Sequence, residues 1–320
     1  MADGIKVSVI CLAYNHEKYI RKCLDGFVMQ KTNFKFEALV HDDASTDKTA
    51  EIIREYEEKY PDIIKPVYQT ENQHSKKISI FTTFLAPNAR GEYLAWCEGD
   101  DCWTDPGKLQ KQVDFLDTHP DYSCCYHVVK FNNLATGKTG LLPDIKESRD
   151  YSTDEIIKGG AIFHLSSQMF RTEMYLARPK GIFTTGGSFG DIQNFIYGSI
   201  CGKLHVLSDV MSQYNHGTAG SWTETHKKDK ETALKTNLVT IEMYRRVNEY
   251  YDYKYNDAFQ YAINRSEFNY YLKLGDKKSM KDPKYKEFYR KYKKAKITSF
   301  IQRRFPHLIS LRRIIKNGKQ

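Results

Sequence analysis

The segment Tyr93-Leu94-Ala95-Trp96-Cys97 runs directly into Glu98-Gly99-Asp100-Asp101. An apolar run of this length reads as a buried strand, and here it delivers adjacent carboxylates to one end of a sheet. Desolvated like charges repel: two of them about 4 Å apart interact by roughly 4 kcal/mol at an effective dielectric near 20. A divalent cation offsets that repulsion, and so does solvation in an ordinary acidic turn. Carboxylates alone repel a phosphate-bearing ligand, whereas carboxylates on a metal ion anchor one. On this segment alone both readings stand.

The rest of the first half alternates strand and helix patterns. Ile5 to Leu12, Phe36 to Val40 and Ile64 to Tyr68 read as strands. Glu17 to Met29 carries Ile20, Leu24, Phe27 and Val28 on one helical face, and Ala50, Ile53, Tyr56 and Tyr60 mark a second helix, with Pro61 just beyond. Ile78 to Leu85 is expected to be helical. Asp105-Pro106 is expected to open another helix, with Asp as N-cap and Leu109, Val113 and Leu116 as its apolar face. This alternation predicts an α/β domain with a largely parallel sheet, whose ligands lie beyond the carboxyl ends of the strands. Asp42-Asp43 and Asp100-Asp101 both fall at such ends. Further on, strands are expected at Tyr122 to Lys130, Ala161 to His164 and Lys203 to Tyr214, with a helix from Asp191 to Ser199. Two long helical patterns follow, one around Leu234, Leu238, Ile241 and Val247 and the other from Phe259 to Leu274. A boundary is expected near residue 225, separating a catalytic domain (1–225) from a helical, basic region (226–320).

Composition narrows the class. The 7 cysteines form no Cys-x-x-Cys pair, which argues against a zinc site or disulfide framework. No run approaches the roughly 18 apolar residues of a membrane span, and the chain enters a strand almost at once, so the reading is cytoplasmic. The net charge of +9 is concentrated late: beyond Lys277 the cations run on to Lys319, opposed only by Asp282 and Glu287. That asymmetry points to an anionic surface. The segments Phe300 to Phe305 and Leu308 to Ile315 mix apolar and cationic positions. They read as peripheral contact with the inner face of the cell membrane or as a lid on the catalytic domain. Nucleic acid is not expected, because no binding module accompanies the charge.

Val7-Ser8-Val9-Ile10-Cys11-Leu12-Ala13-Tyr14-Asn15, followed by His41-Asp42-Asp43-Ala44-Ser45-Thr46-Asp47, resembles the opening signatures of the family 2 glycosyltransferases, which have the GT-A fold. Glu98-Gly99-Asp100-Asp101-Cys102-Trp103, with Lys108 to Gln112, resembles that family's metal-binding segment and the helix after it. The resemblance extends through Gly190-Asp191-Ile192 and the Lys203 to Tyr214 region. It implies a mixed, mostly parallel sheet flanked by helices, and a hexosyltransferase acting on a UDP-sugar with Mn²⁺ or Mg²⁺. The acceptor it implies is a glycan or a lipid-linked species in polysaccharide synthesis.

Residue by residue, the resemblance implies Leu12 and Tyr14 at the donor nucleotide, Tyr14 stacking on the base. Asp43 would accept the uracil imide N–H, and Asp100 would contact the ribose or the metal. Asp101 would ligate the metal, with His216 completing the metal or phosphate site. Asp191 would act as the base that deprotonates the acceptor hydroxyl. Asp42 reads equally as a turn residue. The family often has a third acid where this chain has Gly99, which implies a metal held by fewer side chains plus water.

Three other readings compete with this one. Gly186-Gly187-Ser188-Phe189-Gly190 fits the Gly-x-Ser-x-Gly elbow of α/β-hydrolases, with Asp209 and His216 in hydrolase order. The preceding Lys180 to Thr185 offers only two large apolar residues, and that reading leaves both acidic clusters unexplained. A nucleotidyltransferase would carry a Gly-rich basic segment after the first strand, which Ala13 to Glu17 lacks. A silent sugar-nucleotide-binding scaffold shares the sequence signals and differs only in activity.

Overall fold

The computed structural model describes residues 4–159, 162–183, 190–218 and 229–304, with side chains as far as residue 297. Its strands are β1 (Ile5–Ala13), β2 (Lys35–Asp42), β3 (Ile64–Tyr68), β4 (Tyr93–Trp96), β5 (Cys102–Trp103), β6 (Tyr122–Asn133), β7 (Thr139–Leu142), β8 (Arg149–Tyr151), β9 (Met169–Arg171) and β10 (Lys203–His216). Its helices are α1 (Ile20–Val28), α2 (Thr49–Lys59), α3 (Lys108–Thr118), α4 (Thr153–Gly159), α5 (Thr172–Leu176), α6 (Gly190–Cys201), α7 (Lys230–Tyr250), α8 (Asn256–Leu274) and α9 (Lys286–Arg304).

The sheet order is β3-β2-β1-β4-β9-β6-β10-β5, with β7 on β6 and β8 on β10. The long pairings among β1, β2, β3 and β4 and between β6 and β10 are parallel, while the short strands β5, β7, β8 and β9 run antiparallel to their neighbours. Both faces are covered. Side chains alternate across a strand, so Ile10, Leu39, Leu94 and Trp96 enter one core while Val9, Cys11, Ala38, Val40, Tyr93, Ala95 and Cys97 enter the other. Each fully buried side chain of this size stabilises by roughly 1.5–3 kcal/mol. Helices α1, α2 and α3 close the second core through Ile20, Leu24, Phe27, Ile53, Leu109 and Val113. Helices α6, α7 and α8 close the first through Phe195, Ile196, Ile241, Tyr244, Val247, Phe259 and Ile263. Helix α9 joins a smaller cluster of Phe268, Met280, Tyr285 and Phe288.

Three expected elements differ. The segment 78–85 gives a single π-helical turn, Phe81–Leu85, followed by a 3₁₀ turn, Ala86–Asn88. Thr82 and Thr83 are weak helix formers, and Pro87 has no N–H to extend the ladder. Residues 162–164 are not a strand; a 3₁₀ turn at Leu165–Ser167 follows them, and the strand comes later as β9. There the Ser167 hydroxyl donates to the His164 carbonyl at 2.7 Å, a local bond that competes with a ladder. Asp105 does not cap α3. Its Oδ1 accepts from the Gly107 N–H at 2.7 Å, and the helix begins only at Lys108.

Register fixes the functional edge. Ala13 lies opposite Asp42 where β1 and β2 end, and β4 ends at Trp96 opposite Ile10, after which Cys97 and Gly99 bond the Ile10 and Leu12 carbonyls and carry the chain to the same edge.

Candidate active site

The loops after β1 and β2 are tied to each other. Asn15 N–H donates to Ser45 Oγ at 3.0 Å, Thr46 N–H to Asn15 Oδ1 at 2.8 Å, and His16 N–H to Thr49 Oγ1 at 2.8 Å. Asn15 and Ala44 hold φ of 54° and 59°. For an alanine this left-handed conformation is uncommon and is held by the bonds around it. The arrangement leaves Tyr14 at the rim with 44% of its surface exposed. Leu12 is half-buried one step earlier, and its carbonyl accepts the Gly99 N–H at 2.9 Å.

Asp43 is buried. Its two carboxylate oxygens accept the backbone N–H groups of Gln73 (2.8 Å) and His74 (3.0 Å). Each oxygen keeps a second lone-pair direction for a further donor. Asp42 instead holds the turn, accepting the Ser45 N–H at 3.2 Å.

The β4 end gathers Glu98, Asp100 and Asp101, each offering a carboxylate oxygen within 4.8 Å of the others. Asp100 Oδ2 accepts the Thr218 hydroxyl at 2.7 Å, and Asp101 Oδ1 accepts the Asn215 N–H at 3.1 Å. Asp101 Oδ2 is buried with no hydrogen-bond partner among the described residues. His164 Nδ1 stands 3.5 Å from it but accepts from the Ser166 N–H, so it has no proton to give. Burial and the neighbouring acids push Asp101 well above the usual carboxylate range, and burial with Asp100 and Asp191 pushes Glu98 up to about 8. An oxygen-only cluster with an orphaned buried carboxylate oxygen fits a hard divalent cation.

Gly99 explains the missing acid. A Cβ there would lie 2.8 Å from His16 Nδ1 and 3.1 Å from Ala13 Cβ, so a side chain would have to displace the His16 ring. Glu98 supplies the third carboxylate from the adjacent position. His16, with its Nδ1 buried and unpaired, is held below the usual imidazole range by burial, against the pull of Asp100.

Asp191 sits in the first turn of α6. Burial lifts its carboxyl to about 6, and its charge reaches both Glu98 and Asp101, which ties α6 to the cluster. His216 lies between Asn215 and Thr218, and its ring packs against Phe131 and Tyr214, with Nδ1 3.4 Å from Asn133 Nδ2. It is not part of the three-carboxylate group. The elbow-like segment at 186–190 lies outside the described residues apart from Gly190, as do Ala161 and the apolar-basic stretch beyond residue 304. The acids' hydrogen-bond partners, Asn215 and Thr218, and the neighbouring His164 have no local signature in the sequence. They approach only when β10 and the segment before β9 fold against β4.

A profile of glycosyl transferase family 2 matches residues 8–175, over half of the chain and including β2, β4 and most of β1. The chain belongs to glycosyl transferase family 2. Among this family 2 member's relatives, the Mycobacterium tuberculosis protein Rv1520 is 36% identical over 218 residues, 68% of this chain and 60% of the relative. The chain thus spans under two thirds of that relative's length. The fold is GT-A. Staphylococcus aureus TarS 1–349, crystallised with UDP-GlcNAc, superposes with a TM-score of 0.62 over 88% of this chain and 78% of that one, at 19% identity. A mannosyltransferase from Pyrobaculum calidifontis, solved with GDP-Man and Mn²⁺, gives a TM-score of 0.50 over 94% of this chain and 88% of that one, at 15% identity. No helix among the described residues is long and apolar enough to cross a membrane.

Proposed function

We propose that this protein is an inverting, metal-dependent glycosyltransferase that moves a hexose from a UDP-sugar to a glycan or lipid-linked acceptor. The observation that carries the reading is the group of Glu98, Asp100 and Asp101 at the end of β4, with the charge of Asp191 acting on Glu98 and Asp101. Asp191, lifted to about 6, ionises close to neutral pH and suits a general base. It takes the proton of the acceptor hydroxyl as that oxygen attacks the anomeric carbon and the bond to UDP breaks. Attack from the face opposite UDP inverts the anomeric configuration.

Tyr14 stacks on the base with its exposed ring, above Leu12. Asp43, fixed by two backbone donors, takes the uracil imide N–H, and the choice of a uridine donor rests on this pairing. Asp101, with Asp100 and Glu98, would hold Mn²⁺ or Mg²⁺, and His216 would complete the phosphate side of the site. When bound, the cation neutralises the departing diphosphate.

Residues 1–225 form the catalytic unit in this reading. The basic region after it keeps the enzyme at the inner, cytoplasmic face of the membrane. In support, α9 buries Phe288 and exposes Lys286, Arg290, Lys291, Lys293, Lys294 and Lys296. Co-sedimentation with anionic vesicles, absent with neutral ones, tests that part.

The main test is UDP or GDP release from a panel of nucleotide sugars, with and without a chelator. UDP-sugar turnover lost on chelation supports the reading. Preference for a GDP-sugar would overturn the assignment of Asp43, and turnover indifferent to chelation would overturn that of Asp101.

A further inference from the structure

Helices α7 and α8 are joined by a cleft of about 440 Å³ whose far wall includes Gly159 of α4 and Ile192 of α6. Ile192 follows Asp191 directly, so α6 takes part in the acidic site through one residue and in this cleft through the next. Along α8 the cleft meets Arg265, Asn269 and Lys273, spaced i, i+4, i+8 and therefore on one face over about 12 Å. Asn237 faces them from α7.

Among the described residues, no carboxylate lines the cleft. Lys273 Nζ donates to Asn237 Oδ1 at 2.6 Å and to the Ala233 carbonyl at 3.3 Å, and Arg265 donates to the Lys158 carbonyl. All of these acceptors are neutral. The nearby acids are engaged elsewhere: Glu267 with Arg245 and Lys284, Glu155 with Arg149, and Asp154 with Lys158. Lys273 is exposed at the mouth of the cleft, and partial desolvation there holds its ammonium below its ordinary range. Two cations that share a cavity with amide donors and no acid make a site for an anion with several acceptor oxygens.

We infer that this cleft is a subsite for a phosphate group carried by the acceptor, with Arg265 and Lys273 as its cationic contacts and the Asn269 amide taking a neighbouring hydroxyl, while Asn237, which donates to the Ser266 carbonyl at 3.1 Å, holds Lys273 in place. The inference deepens the glycosyltransferase reading and rests on it for the word acceptor. The phosphate site itself stands on the cleft alone.

Calorimetric titration with inorganic phosphate and with a hexose 1-phosphate, both under saturating UDP, tests it. UDP keeps the diphosphate region filled, and UDP binding by the unsubstituted chain is a separate reading that tests the donor assignment. The expected result is binding of both probes, with the sugar phosphate about tenfold tighter and Lys273→Gln weakening both by about tenfold. Sugar phosphate no tighter than inorganic phosphate would make this a free-phosphate site and overturn the acceptor assignment. Should Lys273→Gln fail to fold, acylation of lysines in the unsubstituted chain gives the answer: phosphate slows modification of Lys273 and an equal concentration of chloride does not. No phosphate binding, or equal acylation rates, would overturn the site.

Discussion

The backbone N–H of Asn215 donates to Asp101 Oδ1 at 3.1 Å, a bond between residues 114 positions apart. Asn215 Nδ2 also donates to the Asp100 carbonyl at 2.9 Å, and the Thr218 hydroxyl donates to Asp100 Oδ2. The end of β10 therefore orients both aspartates while leaving Asp101 Oδ2 open. Partners of this kind fix the direction of a ligand's lone pairs. Thr218→Val should lower Mn²⁺ affinity by about tenfold with little change in melting temperature. Unchanged Mn²⁺ affinity would remove Thr218 from the support of the site.

Gly99 is a packing requirement of the acidic loop. In Gly99→Ala the new Cβ meets His16 Nδ1 at 2.8 Å and Ala13 Cβ at 3.1 Å. Such overpacking costs about 1–3 kcal/mol. Urea unfolding should register that loss, and adding His16→Ala should recover part of it, since the two sites share one contact. A neutral Gly99→Ala would contradict the packing.

Asp191 links activity and stability with opposite signs. Its carboxyl is lifted to about 6 by burial, so the folded protein holds that proton more tightly than the unfolded chain does. The stability it contributes is full below the unfolded carboxyl range and is lost as pH rises through about 6, a swing of at most about 3 kcal/mol. Asp191→Asn should therefore be more stable than the parent at pH 7. It should also lose about 10²- to 10⁴-fold in kcat. In the parent, kcat/KM should rise as pH passes through about 6. A stabilised variant with full turnover would leave Asp191 without its role as base.

Lys108 is fully buried in the second core with its ammonium 3.9 Å above the Trp103 ring and no hydrogen-bond acceptor. Burial holds it down to about 7. Above that pH the folded chain has released a proton that the unfolded chain keeps until its ordinary range near 10, so stability rises with pH from about 7 to 10. Lys108→Met should flatten this rise and stabilise by about 1–4 kcal/mol at pH 6. Denaturant midpoints at pH 6 and pH 9 measure both effects. An undiminished slope would assign the rise to other groups.

The sheet was legible wherever strands were continuous apolar runs: β1, β2, β3 and β4 follow their patterns within a residue or two, and both acidic clusters fall at their ends as expected. Short strands that depend on tertiary pairing were not. β9 has three residues and forms because Met169 and Phe170 find β4 and β6, which local pattern cannot encode. The site divides the same way. The acids stand next to one another in sequence, whereas Asn215, Thr218 and His164 reach them only through folding. Glu98 escaped for a different reason: spacing directs attention to position 99, and only the proximity of His16 and Ala13 reveals that a side chain at this position would have to displace the His16 ring.

Manganese binding, followed by electron paramagnetic resonance with and without UDP, tests the central claim most directly. The account predicts one ion per chain, held more tightly when UDP is present, and lost in Asp101→Asn while the fold persists. Mn²⁺ binding that is absent, or that survives Asp101→Asn undiminished with and without UDP, would contradict it.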